Sequence, residues 1–401
     1  MTRFRMAKDS LGINKKILFC VVTALFWFSL YTYVPQMSNF AKDMGASYKM
    51  IGIITASYGL SQTLLRIPLG IFSDLLKKRK IFIHLGLFTT IISALIVYLL
   101  PNAYTLLIGR LLAGVAAATW VNFTVMFSSY YKHSESTKAI GIISSANMIG
   151  QFSAVLIGGV LAYYLDIRYV FLLSVITGLI GFILSFFIEK EKVVIEKEPL
   201  KLSDLLIIVK DKNILYICFL GIIAQLITFA TIFGFTPIVA TSLGANSFDL
   251  GLLTTVYNFP QIFFSAIAGV VLIKVLGANK TLFIGYTLST VLCIVIPFVP
   301  SLSVLYIVQF FNGIARAMTF PMLMGLVIQN VETKLRSVAM GLYQAVYGIG
   351  MIVGPILLGA IGDKFGLMTG FIFTGLLGLL AMVSIIIKAT SDKNKEKLIS
   401  Y

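Results

Sequence analysis

The chain runs to 401 residues, 58% of them hydrophobic and 12% charged, with a mean hydropathy of +0.96 and a net charge of +16. Such an apolar share exceeds that of soluble globular chains and excludes water as the main solvent of the fold. The basic excess could suit a phosphate-binding protein, but here Lys and Arg fall between apolar blocks, as in membrane-protein loops, so no nucleic-acid partner is expected.

Each apolar block holds about 20 residues, enough to cross a hydrocarbon core about 30 Å thick as a helix rising about 1.5 Å per residue. The blocks do not alternate as barrel strands do. In chain order they fall near 17–37, 50–72, 81–100, 104–128, 138–163 and 169–188, then 213–236, 249–273, 280–299, 303–328, 338–360 and 367–387. No small-residue cleavage site follows the first block, which reads as a retained span. Cys20, Cys218 and Cys293 lie inside blocks, without disulfide or zinc-site spacing, and read as small buried hydrophobes. Between the sixth and seventh blocks, a stretch dense in both charges reads as a loop with an amphipathic helix around Leu202–Val209.

The expected fold is an all-α membrane protein of twelve transmembrane helices in two pseudo-symmetric six-helix bundles. Residues 1–190 form the first, 191–212 a cytoplasmic linker, and 213–401 the second with a short cytoplasmic tail. With the N-terminus inside, 25 basic residues fall in the termini and cytoplasmic loops. Four lie outside (Lys42, Lys49, Arg168, Lys364) and three within spans. Because Lys and Arg near span ends set orientation, both termini are expected in the cytoplasm and the protein in the inner membrane.

An internal repeat supports the two halves. A shift of 199 superposes Gly52 on Gly251, Tyr58 on Tyr257, Gln62 on Gln261, Gly70 on Gly269 and Gly114 on Gly313. A shift of 200 superposes Gly141 on Gly341, Gly150 on Gly350 and Gly159 on Gly359. Tyr31-x-Tyr33-x-Pro35 answers Phe233-x-Phe235-x-Pro237 at a shift of 202. Glycine matches are cheap singly, but the Tyr, Gln, Gly spacing shared by the second and eighth blocks is not. Halves of equal order and orientation imply a pseudo-two-fold axis along the membrane normal and a site between them near the midplane.

After the second block the chain reads Gly70-Ile-Phe-Ser-Asp74-Leu-Leu-Lys77-Lys78-Arg79-Lys80. This resembles the G-x-x-x-D-x-x-x-R-[RK] motif of the major facilitator superfamily, and with the repeat the resemblance covers nearly the whole chain. It implies a conformational latch at Gly70, Asp74, Lys78 and Arg79. In the second half Gly269 is kept but Ile273 stands where Asp74 does, so the latch is expected to be asymmetric. Arg110-Leu-Leu-Ala-Gly114 on the fourth block resembles the family's Arg-plus-glycine motif. On the fifth, Gly141, Gly150, Gly158 and Gly159 keep the spacing of an exporter-associated motif, with Ala154-Val155 where Gly-Pro is usual. The eleventh supplies Gly341, Gly350, Gly354, Pro355 and Gly359. Small residues at such spacing let helices pack closely in any bundle as well as slide past one another.

Polar or aromatic residues near mid-span, on the helices the family uses to line its pathway, are the substrate-binding candidates. From the first half they are Trp27, Tyr31, Gln62, Arg110, Trp120, Asn122, Asn147 and Gln151. From the second they are Gln225, Asn258, Gln261, Asn312, Arg316, Gln344 and Tyr347. Each taken singly reads first as interhelical hydrogen bonding; as a set, polar groups amid apolar walls are what a small-molecule site needs. Arg66 is a third embedded cation, readable as a structural partner of Asp74. All 16 acids fall in loops or at span ends, His84 lies just inside the third block and His133 in a loop, so no titrating relay is expected at the midplane.

The leading expectation is a secondary transporter, working by alternating access as an exporter of drugs or metabolites. The alternatives are an importer or exchanger of an organic anion, which embedded Arg without embedded acid would favour, and a transporter-like membrane sensor. A membrane enzyme would need a His cluster, paired carboxylates or a metal set, and none is evident. No nucleotide-binding P-loop is present. The expected partners are a small-molecule substrate, the lipid bilayer and a coupling ion such as a proton. The chain is expected to act as a monomer, without cofactor or metal.

Overall fold

The structure, a computed structural model, describes residues 13–131, 135–190, 207–329, 331–332 and 335–399. The described chain is helical throughout. In the first half the long helices are α1 (Ile13–Tyr31), α2 (Tyr48–Leu76), α3 (Arg79–Leu99), α4 (Ala103–Ala118, resuming as Trp120–Ser128), α5 (Ser136–Tyr164) and α6 (Arg168–Ser185). The second half gives α7 (Lys212–Ala230), α8 (Ser247–Ile267), α9 (Ala278–Val295), α10 (Leu302–Gln329), α11 (Arg336–Phe365) and α12 (Leu367–Ile399). Most of the expected linker helix, and His133, lie outside the described residues, although 207–210 is helical.

Eleven of these helical segments are long and apolar enough to cross a membrane. The remaining one, α2, has the length at 29 residues, but Ser57, Ser61, Gln62, Thr63 and Arg66 dilute its apolar content. Those groups would be untenable facing lipid; they are tolerated because the neighbouring helices cover them. On the periphery the pattern inverts. Ile176, Leu179, Ile180 and Ile183 on α6, and Leu379, Val383, Ile386 and Ile387 on α12, are exposed apolar side chains that belong against acyl chains.

Local sequence sets the breaks. Pro35 and Pro237 supply no backbone N–H, so α1 and α7 cannot continue as regular helices. The first passes through a 3-10 turn at Val34–Gln36 into Met37–Asp43, the second through a π-turn at Thr231–Phe235 into Thr236–Ser242. Asn102 with Thr105, and Asn246 with Asp249, form capping boxes at the starts of α4 and α8. The turn after α2 carries Lys77 at φ +52°, a left-handed conformation costly for a side-chain-bearing residue. The equivalent turn in the second half uses Gly277 at φ +80°.

The repeat seen in the sequence is a repeat of packing. A methyl group added at Gly114 would collide with the Tyr58 carbonyl oxygen, joining α4 to α2; one at Gly313 would meet the Tyr257 carbonyl oxygen, joining α10 to α8. Gly150 and Gly158 press on Ala24 and Thr32 of the α1 segment, as Gly350 and Gly354 press on Ile222 and Leu226 of α7. Between the halves, Gly52 of α2 meets the Pro355 carbonyl of α11, and Gly251 of α8 meets the Val155 carbonyl of α5. Gly359 against Tyr48 and Gly159 against Ser247 complete the symmetric set. These approaches all bring backbone against backbone, which a Cβ would prevent.

Gly114→Val is expected to force α2 and α4 apart and destabilise the fold by about 1–3 kcal/mol, as overpacking does. Gly141→Ala is the control, since Gly141 has nothing within 4 Å of its added methyl. Thermal unfolding of the purified protein should show a lowered Tm for the first and an unchanged one for the second.

Candidate functional site

Among the described residues, contact between the halves begins at one end and runs inward along α2 and α11. At that end Asn39 Nδ2 donates to the Pro237 carbonyl at 3.1 Å and Gln36 Nε2 to the Ser247 carbonyl at 3.3 Å. Asp363, at the end of α11, accepts the backbone N–H of Tyr48 at 2.7 Å and of Lys49 at 2.9 Å. A carboxylate at a helix N-terminus satisfies orphan donors and meets the positive end of the helix dipole, so this is a charge-assisted clasp across the two halves. The seam runs inward along α2 and α11 through Gly59 against Met351 and Gly348 against Thr63. It reaches Arg66, whose Nη1 donates to Gln344 Oε1 at 2.6 Å and to the Tyr347 hydroxyl at 3.5 Å.

Beyond that layer the halves part. Gly141, Gly269, Gly325 and Gly341 have open space where a Cβ would stand, and Gly70 meets only a Val121 methyl at 3.9 Å. Gly70, Asp74 and Arg79 of the motif share this open end. Asp74, near the end of α2, pairs with Arg79, the first residue of α3, across the intervening turn, and among the described residues no hydrogen bond or ion pair joins it to the second half. Arg66 is committed to α11 and not to Asp74. The motif glycines Gly141 and Gly341 are thus uncovered in this state, whereas Gly150, Gly158, Gly159, Gly350, Gly354 and Gly359 are buried against backbone.

Under the closed end the two halves present an aromatic and cationic wall. Trp27 lies 5.3 Å from Trp120 and 5.8 Å from Tyr31, ring to ring. Tyr31 meets Phe233 of α7 at 6.4 Å, and Tyr58 stacks on Phe229 at 6.4 Å, so aromatic contacts cross the interface twice. Arg110 is 4% exposed and sits with its guanidinium 4.5 Å from the Tyr58 ring. The close approach at Gly114, one turn further along α4, places it there. Across the hollow, Arg316 donates to Thr228 Oγ1 at 3.1 Å and Gln225 Oε1 at 3.2 Å, and lies 4.0 Å over Phe320. Phe320 touches Tyr347 at 5.3 Å, which links Arg316 to the Arg66 cluster. Asn312, Arg316, Thr228 and Tyr257 line one small cleft.

Other candidates are placed differently. Gln151 hydrogen-bonds Asn147 along α5, and Gln261 Nε2 donates to Asn258 Oδ1 at 3.3 Å along α8, so these pairs satisfy each other locally. Asn122 is 1% exposed with both amide atoms unpartnered, and Gln62 has an unpartnered Oε1. Six residues of the wall were not among the sequence candidates: Tyr58, Tyr257, Thr228, Phe229, Phe233 and Phe320. Tyr58, Tyr257 and Phe233 were visible as repeat positions, and a tyrosine recurring in register on a helix rich in small polar residues is the signal that could have found them. Nothing in the sequence separates Thr228, Phe229 or Phe320 from the many other apolar-span residues.

Among the described residues, the acids sit at the periphery. Asp211 accepts the Asn213 N–H at the start of α7, Asp249 accepts the Asn246 N–H in the α8 capping box, Asp166 accepts the Arg168 N–H, and Asp363 forms the clasp. His84 bonds the Ser185 carbonyl at 3.3 Å and packs on Phe186, between α3 and α6. No group of three His, Cys, Asp or Glu side chains suited to a metal occurs among the described residues.

Two six-helix halves seamed together at one end, with uncovered glycines at the other and an aromatic and cationic layer between, have the architecture of a membrane carrier. The family model of the Major Facilitator Superfamily matches residues 19–239 and again 217–399, and the chain belongs to that superfamily. An uncharacterised MFS-type transporter of Methanocaldococcus jannaschii is 24% identical over 366 residues, 86% of this chain and 90% of its own. The multidrug resistance efflux pump PmrA of Streptococcus pneumoniae is 24% identical over 357 residues, 87% of this chain and 89% of its own. A bacterial homologue of the human lysosomal transporter Spinster, solved inward-facing and occupied, shares the fold with a TM-score of 0.77 at 13% identity, covering 96% of this chain and 98% of its own.

Asp363→Asn removes the charge that holds the α2 N-terminus and is expected to weaken the clasp by about 1–2 kcal/mol. Hydrogen–deuterium exchange of the peptide spanning Tyr48 and Lys49 should then quicken several-fold relative to wild type, while peptides from α3 stay unchanged. Equal exchange in both proteins would remove Asp363 from the closure.

Proposed function

We propose that this chain is a secondary transporter that exports small organic compounds by alternating access. The observation that carries the reading is the asymmetry between the two ends: paired glycine seams join the halves at one end, and Gly141, Gly269 and Gly341 stand uncovered at the other, with an aromatic and cationic layer between them. Aromatic and polar groups in such a layer are what a small-molecule site requires. The bias of Lys and Arg toward one set of loops supports a cytoplasmic location for both termini and puts the open end toward the cytoplasm, in the cytoplasmic membrane of the cell. The efflux activity named for the pneumococcal relative supports the outward direction. Residues 1–190 and 213–401 act as the two moving bodies, with 191–212 as the strap between them, and a single chain encloses the whole pathway.

With the embedded charges all cationic, coupling runs through the solute or an ion exchanged for it and not through a titrating carboxylate at the centre. Trp27 and Trp120 form the apolar platform, Gln62, Asn122 and Asn312 supply orientation, and Arg110 and Arg316 set the charge preference.

Reconstituted in proteoliposomes, the protein is expected to move members of a panel of antibiotics, dyes and organic acids out of the compartment its open end faces. Trp27→Ala combined with Trp120→Ala should lower the rate at least about tenfold by removing aromatic contact area, at unchanged protein level. Solute movement only in the opposite direction would contradict export, and movement unaffected by the double variant would displace the site.

A further inference from the structure

We propose that the exported solute is an organic anion, its charged head bridging Arg110 of α4 and Arg316 of α10 while its planar apolar body lies against the Trp27 and Trp120 indoles. This deepens the transport reading above and rests on it for the identity of the hollow as the solute site.

Arg110 is the anchor of the argument. A guanidinium stays protonated inside proteins, so Arg110 cannot shed its charge to escape burial. It is 4% exposed, its Nε has no acceptor, and among the described residues it makes no hydrogen bond and no ion pair. The Tyr58 ring face offers partial compensation, and the charge remains otherwise unmet. Such a group persists only where a counter-charge arrives during function or water reaches it.

Arg316 repeats the condition in the other half. Its acceptors, Thr228 and Gln225, are neutral, so its full charge also remains. Arg110 lies over Tyr58, Tyr58 stacks on Phe229 of α7, and Arg316 bonds Thr228, the residue before Phe229, so the two cations approach the same stretch of the interface from opposite halves. The Trp27 indole, 5% exposed, holds a second unpartnered donor at Nε1 beside Tyr31. Arg110 Nε and Trp27 Nε1 both call for an acceptor. A carboxylate or sulfonate answers them and neutralises the pair; a cation would add a like charge, and a neutral solute would leave both guanidinia unpaired when the hollow closes.

The test uses the purified full-length protein and four ring compounds of similar size: benzoate, benzenesulfonate, benzamide and benzylamine. Thermal unfolding should shift upward with benzoate and benzenesulfonate and stay level with benzamide and benzylamine, since only a ligand bound by the folded state raises Tm. Arg110→Gln and Arg316→Gln should each weaken the apparent benzoate affinity at least about tenfold, with Arg110→Lys retaining part of it. Should Arg110→Gln fail to fold, the comparison of acid with amide on the wild-type protein decides alone. Equal shifts by benzamide, a preference for benzylamine, no shift with either acid, or full benzoate binding by both Gln variants would each overturn the proposal. Benzoate binding with no flux in proteoliposomes would keep the anion site and remove the transport reading. Flux of neutral solutes indifferent to both Gln variants would do the reverse.

Discussion

The approach of backbone to backbone at the seams between the two halves is the constraint on which the rest of the structure depends. Gly52 against Pro355, Gly251 against Val155, and the outer pair Gly359 with Tyr48 and Gly159 with Ser247 bring helices of opposite halves together without intervening side chains. Interfaces of this kind gain from dispersion and close fit and not from burying apolar surface, because lipid is as apolar as the helix faces it would replace. They are therefore strong where they fit and cheap to separate where they do not interlock. A carrier needs that property, since one seam must open for the other to form. Asp363 on the α2 N-terminus adds a charge-assisted contact at the extreme end, where the seam meets water.

Inside the hollow the balance is electrostatic. Arg66 bonds Gln344 and Tyr347 across the seam through Nη1 while its Nε has no partner, so its placement depends on the closed end and it reports the state of the interface. Arg110 and Arg316 lie at or just inside the wall of the hollow and have aromatic faces beneath them in place of acids. Cations held over rings, away from carboxylates, keep an unspent positive potential in a region of low dielectric. The acids that might have cancelled it serve instead as helix caps and as the clasp. The division of labour is consistent: described carboxylates such as Asp211, Asp249 and Asp363 organise helix ends, the embedded guanidinia pack on rings and neutral acceptors near the interface, and glycines set how closely the helices approach.

Much of this was legible in the sequence because the membrane restricts the choices. Blocks of about 20 apolar residues can only be helices, and a repeat at 199 to 202 residues fixes two like halves, so the twelve-helix architecture followed from length and pattern. The glycines at 52, 114, 159 and their partners appeared as repeat positions, and the structure gives each a backbone neighbour. The cavity was less legible. Gln151 with Asn147, and Gln261 with Asn258, were polar at mid-span but satisfy one another along their own helices, a choice of rotamer that spacing does not reveal. Tyr58 and Phe229 stack across the halves, a contact between positions 171 residues apart that no local pattern encodes. The role of Asp363 was equally hidden, because its partners are main-chain N–H groups and carry no side-chain signature.

The central claim is that the two halves rock as bodies about the hollow, exchanging one sealed end for the other. Double electron–electron resonance distances test it most directly. One label pair at Asp43 and Ser242 reports the closed end, and a second at Lys138 and Arg336 the open end; all four positions are exposed. On adding a transported solute, the distance between 43 and 242 should lengthen in a fraction of molecules while that between 138 and 336 shortens in the same fraction. Two distances that stay fixed, or that lengthen together, would contradict the account.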